Sequence, residues 1–277
     1  MPPSEGVASI EAETRSFSYD SGVVGPAFRR ALVVEAPIEI VVGGAPVVVM
    51  MATPCDLEDF VYGFMLTEGV IARPDDIRGM EVEEAAEGWR VKVALTAAKL
   101  KEHLARKRAI GGRTGCGLCG IEDFSQLPSP RRRFEHGTPI EPAAIGSALA
   151  ELEKRQPLNA LTRAAHAAAW CSRDGRIELV REDVGRHNAL DKVIGALMRA
   201  GVAADSGFFL ITSRCSFEMV VKAALFGAAV LVSISAPTSL ALTRAQDYGV
   251  LLIAVARADK ALCFVADGDT RSGGLAA

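Results

Sequence analysis

No apolar run in this chain is long enough to span a bilayer. The two longest, residues 41–51 and 226–234, are short and interrupted by glycine. A crossing helix needs about 20 apolar residues, so no membrane partner is expected. Net positive charge is also missing: the formal charge is −3, and nothing global points to nucleic acid. No N-terminal secretory signal is expected, since residues 1–19 carry Glu11 and Glu13 and no apolar core. Dense cysteine spacing is lacking too. Cys55, Cys171, Cys215 and Cys263 are scattered, unlike the framework of a small secreted disulfide scaffold. A reduced, cytoplasmic setting follows as the expectation. No repeat with a period of 20–50 residues occurs. A composition of 49% hydrophobic and 23% charged residues argues against overall disorder. At 277 residues the chain can bury one large core or two moderate ones.

The most unusual stretch is residues 111–120, Gly-Gly-Arg-Thr-Gly-Cys-Gly-Leu-Cys-Gly. Glycine at this density argues against a helix or an interior strand and for a loop with two thiols near its tip. Basic residues surround it, from Lys101, Arg106, Lys107, Arg108 and Arg113 to Arg131, Arg132 and Arg133. Positive charge favours the thiolate, which is the nucleophile. Three readings of Cys116 and Cys119 stand side by side. A thioredoxin-like redox pair would sit at a helix start after a strand. A zinc site would need a second ligand pair, for which only Cys171 or His166 offers itself. A nucleophilic thiol would carry a persulfide or another covalent adduct.

Along the chain, residues 1–29 read as a loosely ordered leader. Residues 30–110 read as a smaller α+β unit. In it, β-branched runs at 31–42 and 47–51 flank a Gly-Gly turn as a hairpin. A helix opens at Asp56, a candidate N-cap with Asp59 in a box-like position, and its Leu57, Phe60 and Phe64 share one face. Strands are expected at 78–84 and 89–96, then a basic helix or loop over 97–110. Residues 111–140 form the cysteine loop and a proline-rich, arginine-rich linker. From 141 to 277 the pattern alternates. Helices are expected at 142–155, 159–171, 186–198, 216–227 and 238–248, and strands at 177–181, 208–212, 230–234 and 250–255. That alternation predicts an α/β layer structure with a largely parallel sheet covered on both faces. Ligands of such sheets favour the crevice beyond the strands' carboxyl ends.

The loops expected there are polar. The run 181–192, Arg-Glu-Asp-Val-Gly-Arg-His-Asn-Ala-Leu-Asp-Lys, falls at a strand-to-helix junction, which puts His187 near free backbone N–H groups. Asp183 can cap that helix or orient an imidazole; a charged surface turn is the plainer alternative. Ser213 and Arg214 lead into the next helix and suit an anion, although capping explains a serine there equally well. Thr238 repeats the theme, and Arg257 and Lys260 follow the last strand. His166, in an alanine-rich stretch read as helix, is expected to be a core residue.

Taken together, the segments GCGLCG at 115–120, His166, EDVGRHNALDKVIG at 182–195, TSRCSFEMVVKAA at 212–224 and SAPTSLA at 235–241 resemble the formate dehydrogenase accessory sulfurtransferases, the FdhD family. The resemblance runs from about Leu32 to Phe264. It implies a sulfurtransferase that accepts sulfane sulfur from a cysteine desulfurase and delivers it to the bis-molybdopterin guanine dinucleotide cofactor of formate dehydrogenase. It also implies a homodimer and a larger C-terminal domain similar to the three-layer cytidine deaminase fold. Cys116 matches the family's persulfide carrier and Cys119 its partner. The family's cofactor contact falls on Val255, Ala256, Arg257, Ala258, Asp259 and Lys260, with His187, Ser213, Arg214 and Thr238 as further pocket residues. A guanine nucleotide should mimic the cofactor. The deaminase signature itself is missing: His166 precedes three alanines, and no Pro-Cys-x-x-Cys follows. Neither deamination nor a catalytic zinc is expected.

Overall fold

The computed structural model describes residues 6–109, 130, 133–134 and 140–264. The cysteine loop and most of the expected linker lie outside them.

The N-terminal stretch corrects the first expectation. Rather than a loose leader, β1 (Ser9–Phe17) and β2 (Val24–Val33) form an antiparallel hairpin. Its register explains why. Glu11 and Glu13 face Ala31 and Arg29 across the ladder, and Arg29 Nε lies 2.7 Å from Glu11 Oε2. Ile10 pairs with Leu32 and Thr14 with Phe28. Such cross-strand pairs are the unit of sheet stability.

A four-stranded sheet follows, in the order β4-β3-β6-β5, from β3 (Ala36–Val42), β4 (Ala45–Ala52), β5 (Ile77–Ala85) and β6 (Gly88–Leu95). Strand alternation sorts its faces. Ile38, Ile40, Val42, Val91 and Val93 point inward and pack with Phe60, Val61 and Met65 of α1 (Leu57–Thr67). The outer face carries a charge ladder in which Arg90 reaches Glu39 at 2.5 Å and Lys92 reaches Glu83 at 2.6 Å. Helix α2 (Ala97–Ala109) follows β6.

The second sheet has six strands: β7 (His166–Ser172), β8 (Ile177–Asp183), β9 (Gly207–Ile211), β10 (Val230–Ser233), β11 (Leu251–Ala254) and β12 (Leu262–Phe264), in the order β12-β11-β10-β9-β7-β8. Helices α5 (Arg186–Arg199), α6 (Phe217–Phe226) and α7 (Ser239–Tyr248) cover one face, and α3 (Pro142–Leu152) covers the other. The short helix α4 (Pro157–Thr162) precedes β7. Both faces being covered, strands such as Phe208-Phe209-Leu210-Ile211 are apolar at every position.

The sheet is mixed, not largely parallel as the alternation predicted. Only β9, β10 and β11 run parallel; β7 is antiparallel to both its neighbours, and β12 to β11. The difference traces to residues 164–171, expected as helix and found in β7 from His166 onward. Alanine's helix preference amounts to only a few tenths of a kcal/mol per residue over most alternatives. Here it yields to burial. Ala167, Ala168 and Ala169 sit between two strands and two helical layers, and small side chains let both layers close on the strand.

The two sheets meet where α1 packs on α5. The helices touch backbone to backbone. A Cβ on Gly195 would lie 1.8 Å from the Asp59 carbonyl oxygen, and one on Gly63 would lie 1.9 Å from that of Asp191. No other residue fits at either position without separating the helices.

Candidate functional site: one edge of the six-stranded sheet

The register gathers the polar loops. His166, which opens β7, faces Asp183, which closes β8. Thr212, just after β9, accepts at its Oγ1 from the Ala167 amide at 2.9 Å and donates its own amide to the Ala167 carbonyl at 3.0 Å. Antiparallel β7 therefore starts at the same edge where β8 through β11 end. That places the loops at 183–187, 212–216, 234–238 and 255–260 side by side.

Hydrogen bonds lock these loops in a row. The Cys215 amide donates to the Ala236 carbonyl at 3.2 Å, and the Thr238 amide to the Cys215 carbonyl at 2.9 Å. Ser233 Oγ donates to the Ser213 carbonyl at 2.9 Å. The Val255 and Ala256 amides donate to Ser235 and Ser233 at 3.2 Å each. Val255 is held at φ 52°, a left-handed angle that a β-branched side chain resists. Strain of this kind costs of order 1–3 kcal/mol and collects at functional sites.

Each expected site residue can now be placed. Val255 and Ala256 belong to the knitted row, and Ala256 is buried. Arg257, Ala258, Asp259 and Lys260 form an exposed turn closed by the Arg257 amide on the Lys260 carbonyl at 2.7 Å. The Arg257 guanidinium folds back onto the Ile234 carbonyl at 2.5 Å, which draws it toward the row. Arg214 is exposed, and Ser213 is buried with its hydroxyl on the Arg214 carbonyl at 3.1 Å. Thr238 caps α7, accepting from the Ala241 amide at 3.2 Å. His187 sits in the first turn of α5; burial, helped by the charges of Arg186 and Lys222, pushes its imidazole down to about 4. It is therefore neutral near pH 7. Burial lowers His166 as well, with Arg186 adding to the effect. Cys116 and Cys119 lie outside the described residues.

The 181–192 run does something the sequence did not reveal. Four of its polar side chains, Asp183, Asn188, Asp191 and Lys192, stitch α5 and the end of β8 to the segment after β4 and to α1 instead of facing a ligand. Asp183 is fully buried, and its carboxylate accepts from the amides of Thr53 at 3.0 Å and Gly185 at 2.7 Å and from Asn188 Nδ2 at 3.0 Å. Lys192, equally buried, lies 2.7 Å from Asp183 Oδ2 and donates to the carbonyls of Thr53 and Glu182. Asp191 accepts from Lys222 at 2.8 Å and from Thr67 at 3.0 Å, tying α1, α5 and α6 together. Asp183 thus serves the backbone turn and the lysine, and orients no imidazole. Asp56 heads α1 at φ 52° but makes no side-chain cap, because Arg181 draws its carboxylate away at 3.2 Å. Asp59 forms no box either, being held by Arg181 and Arg199.

Two buried thiols are poor nucleophiles, Cys215 at this edge and Cys171 at the far end of β7. Burial raises Cys171 far above the usual thiol range and pushes Cys215 up to about 12. Among the described residues, no group of three or more His, Cys, Asp or Glu side chains is arranged to hold a metal. No described helix is long and apolar enough to cross a membrane.

The sequence profile of the FdhD/NarQ family matches residues 33–270, which takes in both sheets and the whole knitted edge. The chain belongs to the FdhD/NarQ family. A relative from Bordetella petrii, named sulfur carrier protein FdhD, is 42% identical over 243 residues, covering 87% of each chain. Another of that name, from Xanthomonas axonopodis pv. citri, is 45% identical over 223 residues, covering 80% of this chain and 79% of its own. Among solved structures, a proposed formate dehydrogenase accessory protein from Desulfotalea psychrophila superimposes with a TM-score of 0.71 at 25% identity, covering 95% of this chain and 99% of its own. The mixed α/β fold is therefore a fold of this family, and the resemblance drawn from the sequence motifs stands.

Proposed function

We propose that this protein is a sulfur carrier that serves formate dehydrogenase, with Cys116 as the carrier thiol. The observation that bears most weight is the Cys116-x-x-Cys119 pair, set among glycines and arginines, in a chain 42% identical over most of its length to a protein named as a sulfur carrier. The basic flanks favour the thiolate. That thiolate attacks the outer sulfur of a cysteine desulfurase persulfide. A new sulfur–sulfur bond forms on Cys116, and the desulfurase cysteine leaves as thiolate. Cys119 then resolves the adduct by attacking the inner sulfur, which closes a Cys116–Cys119 disulfide and releases the outer sulfur as hydrosulfide. In that form a metal takes it up as a ligand with no further electrons. A cellular dithiol afterwards reduces the disulfide.

The acceptor in this reading is bis-molybdopterin guanine dinucleotide, bound as substrate at the sheet edge. Val255, Ala256, Arg257, Ala258, Asp259 and Lys260 would line it on one side, with His187, Ser213, Arg214 and Thr238 nearby. The fit rests on the row of locked loops, the strained Val255 backbone and the cations of Arg214, Arg257 and Lys260. A homodimer and a cytoplasmic setting belong to the same reading.

The test uses the full chain with a cysteine desulfurase and cysteine. Mass spectrometry should find one added sulfur on Cys116, and the loaded protein should activate formate dehydrogenase. Loading and activation that survived Cys116→Ala would overturn the assignment.

A further inference from the structure

Four of the buried polar atoms that lack a hydrogen-bond partner lie together: Arg186 Nε, His187 Nε2, Ser216 Oγ and Glu218 Oε2. Only Trp170 Nε1 is orphaned elsewhere among the described residues, inside an aromatic cluster with Phe209 and Phe226. Arg186 and His187 open α5, and Ser216 and Glu218 open α6, so all four stand at the sheet edge described above. Their charges sense one another: His187 is influenced by Arg186 and Glu218, with Lys222 and His166 also in range. Ser216 occupies the N-cap of α6 yet its hydroxyl caps nothing, whereas Thr238 caps α7 in the ordinary way.

A buried donor or acceptor left unpaired costs about 1–3 kcal/mol. Four such atoms in one place form a cost that a ligand can remove. The mix of groups says which ligand. A phosphate offers only acceptors, and Glu218 would repel it. An ammonium offers only donors, and Arg186 would repel it. A neutral planar edge with donors and an acceptor in a row satisfies both at once.

We propose that Glu218, with Arg186 and Ser216, recognises a 2-amino-4-oxopyrimidine edge. This inference rests on the reading that the sheet edge binds the molybdenum cofactor. The Glu218 carboxylate accepts from the exocyclic amino group and the adjacent ring N–H. Arg186 and Ser216 donate to the ring carbonyl, and neutral His187 completes the rim. The guanine base and the pterin both carry this edge, so either part of the cofactor is a possible occupant.

Binding of matched pairs to the full-length protein, measured by calorimetry, tests the idea. GDP is compared with IDP, which lacks the amino group, and 6-hydroxymethylpterin with 6-hydroxymethyllumazine, which replaces it with oxygen. The wild type should prefer the amino-bearing partner at least about tenfold in one pair, as sites built to pair a substrate's donors do. Glu218→Gln should abolish that preference while leaving the urea midpoint unchanged, since Glu218 Oε2 has no hydrogen-bond partner among the described residues. A preference for GDP assigns the guanine, and one for the pterin assigns the pterin. Discrimination in neither pair, or discrimination that persists in Glu218→Gln, overturns the proposal. GDP and IDP binding tightly but equally, with no discrimination in the pterin pair either, would leave cofactor binding through the diphosphate intact and remove only the edge-reading role of Glu218.

Discussion

Replacing Lys192 with methionine tests the buried ion pair that joins the two sheets. Lys192 and Asp183 are both fully buried, with Nζ and Oδ2 2.7 Å apart. Methionine fills similar space, so the perturbation is chiefly electrostatic. The Asp183 carboxylate keeps three donors: the Thr53 amide, the Gly185 amide and Asn188 Nδ2. The carbonyls of Thr53 and Glu182 lose the lysine's donors. Breaking a buried pair by removing one partner costs about 3–5 kcal/mol, and the three surviving donors place Lys192→Met near the lower end, at about 3 kcal/mol. Asp183→Asn alone strands the ammonium, which has no other carboxylate within ion-pair distance among the described residues. The double variant should cost less than the sum of the two, with a coupling of about 1.5 kcal/mol or more. Urea unfolding monitored by tryptophan fluorescence reads all four proteins, since Trp89 and Trp170 sit in different sheets. A loss below about 1 kcal/mol for Lys192→Met, or a coupling near zero, would falsify the claim that this pair holds the seam.

Gly195→Ala should destabilise by about 1–3 kcal/mol, because its Cβ would strike the Asp59 carbonyl at 1.8 Å; in an exposed helix the same change gains nearly 1 kcal/mol, so a stabilised variant refutes the close contact. Lowering the pH should cost stability through His187. Its folded value of about 4 lies below the ordinary 6.5, so the unfolded chain takes the proton first. The contribution is whole above pH 6.5 and drains away as the pH falls toward 4, with about 2 kcal/mol of it lost by pH 5. Arg186, Lys222, Glu218 and His166 all act on that imidazole, and His187→Gln should flatten the profile; an unchanged slope between pH 7 and 5 counts against the buried neutral ring. Cys215, fully buried and raised to about 12, should resist iodoacetamide at pH 7.5 until urea unfolds the protein; rapid labelling of the native chain would contradict that burial.

Helix and strand positions were readable wherever one period dominated. The alternation of Ile38, Ile40 and Val42 with Glu39, and the apolar runs at 208–211, 230–233 and 251–254, appear where expected. The His166 stretch was not readable, because alanine fits a helix and a doubly covered strand equally well and the covering helices are distant in sequence. The N-terminal hairpin was missed for a related reason. Its pairs, such as Glu11 with Arg29, form only once the turn sets the register.

The sequence alone determined the family, through motifs whose order and wording are specific, and with it the candidate thiols Cys116 and Cys119. It also located the polar loops that line the sheet edge. Only the tertiary structure divided those loops by role. Asp183, Asn188, Asp191 and Lys192 read as one polar run with Arg186 and His187, yet the first four turn inward to the Met51 and Thr53 backbone and to Thr67, while the last two keep unpaired polar atoms at the edge. The physical reason is that a charged side chain becomes structural or available according to whether a partner reaches it. Thr53 and Thr67 lie more than a hundred residues from theirs, and the packing of α1 on α5 brings them there.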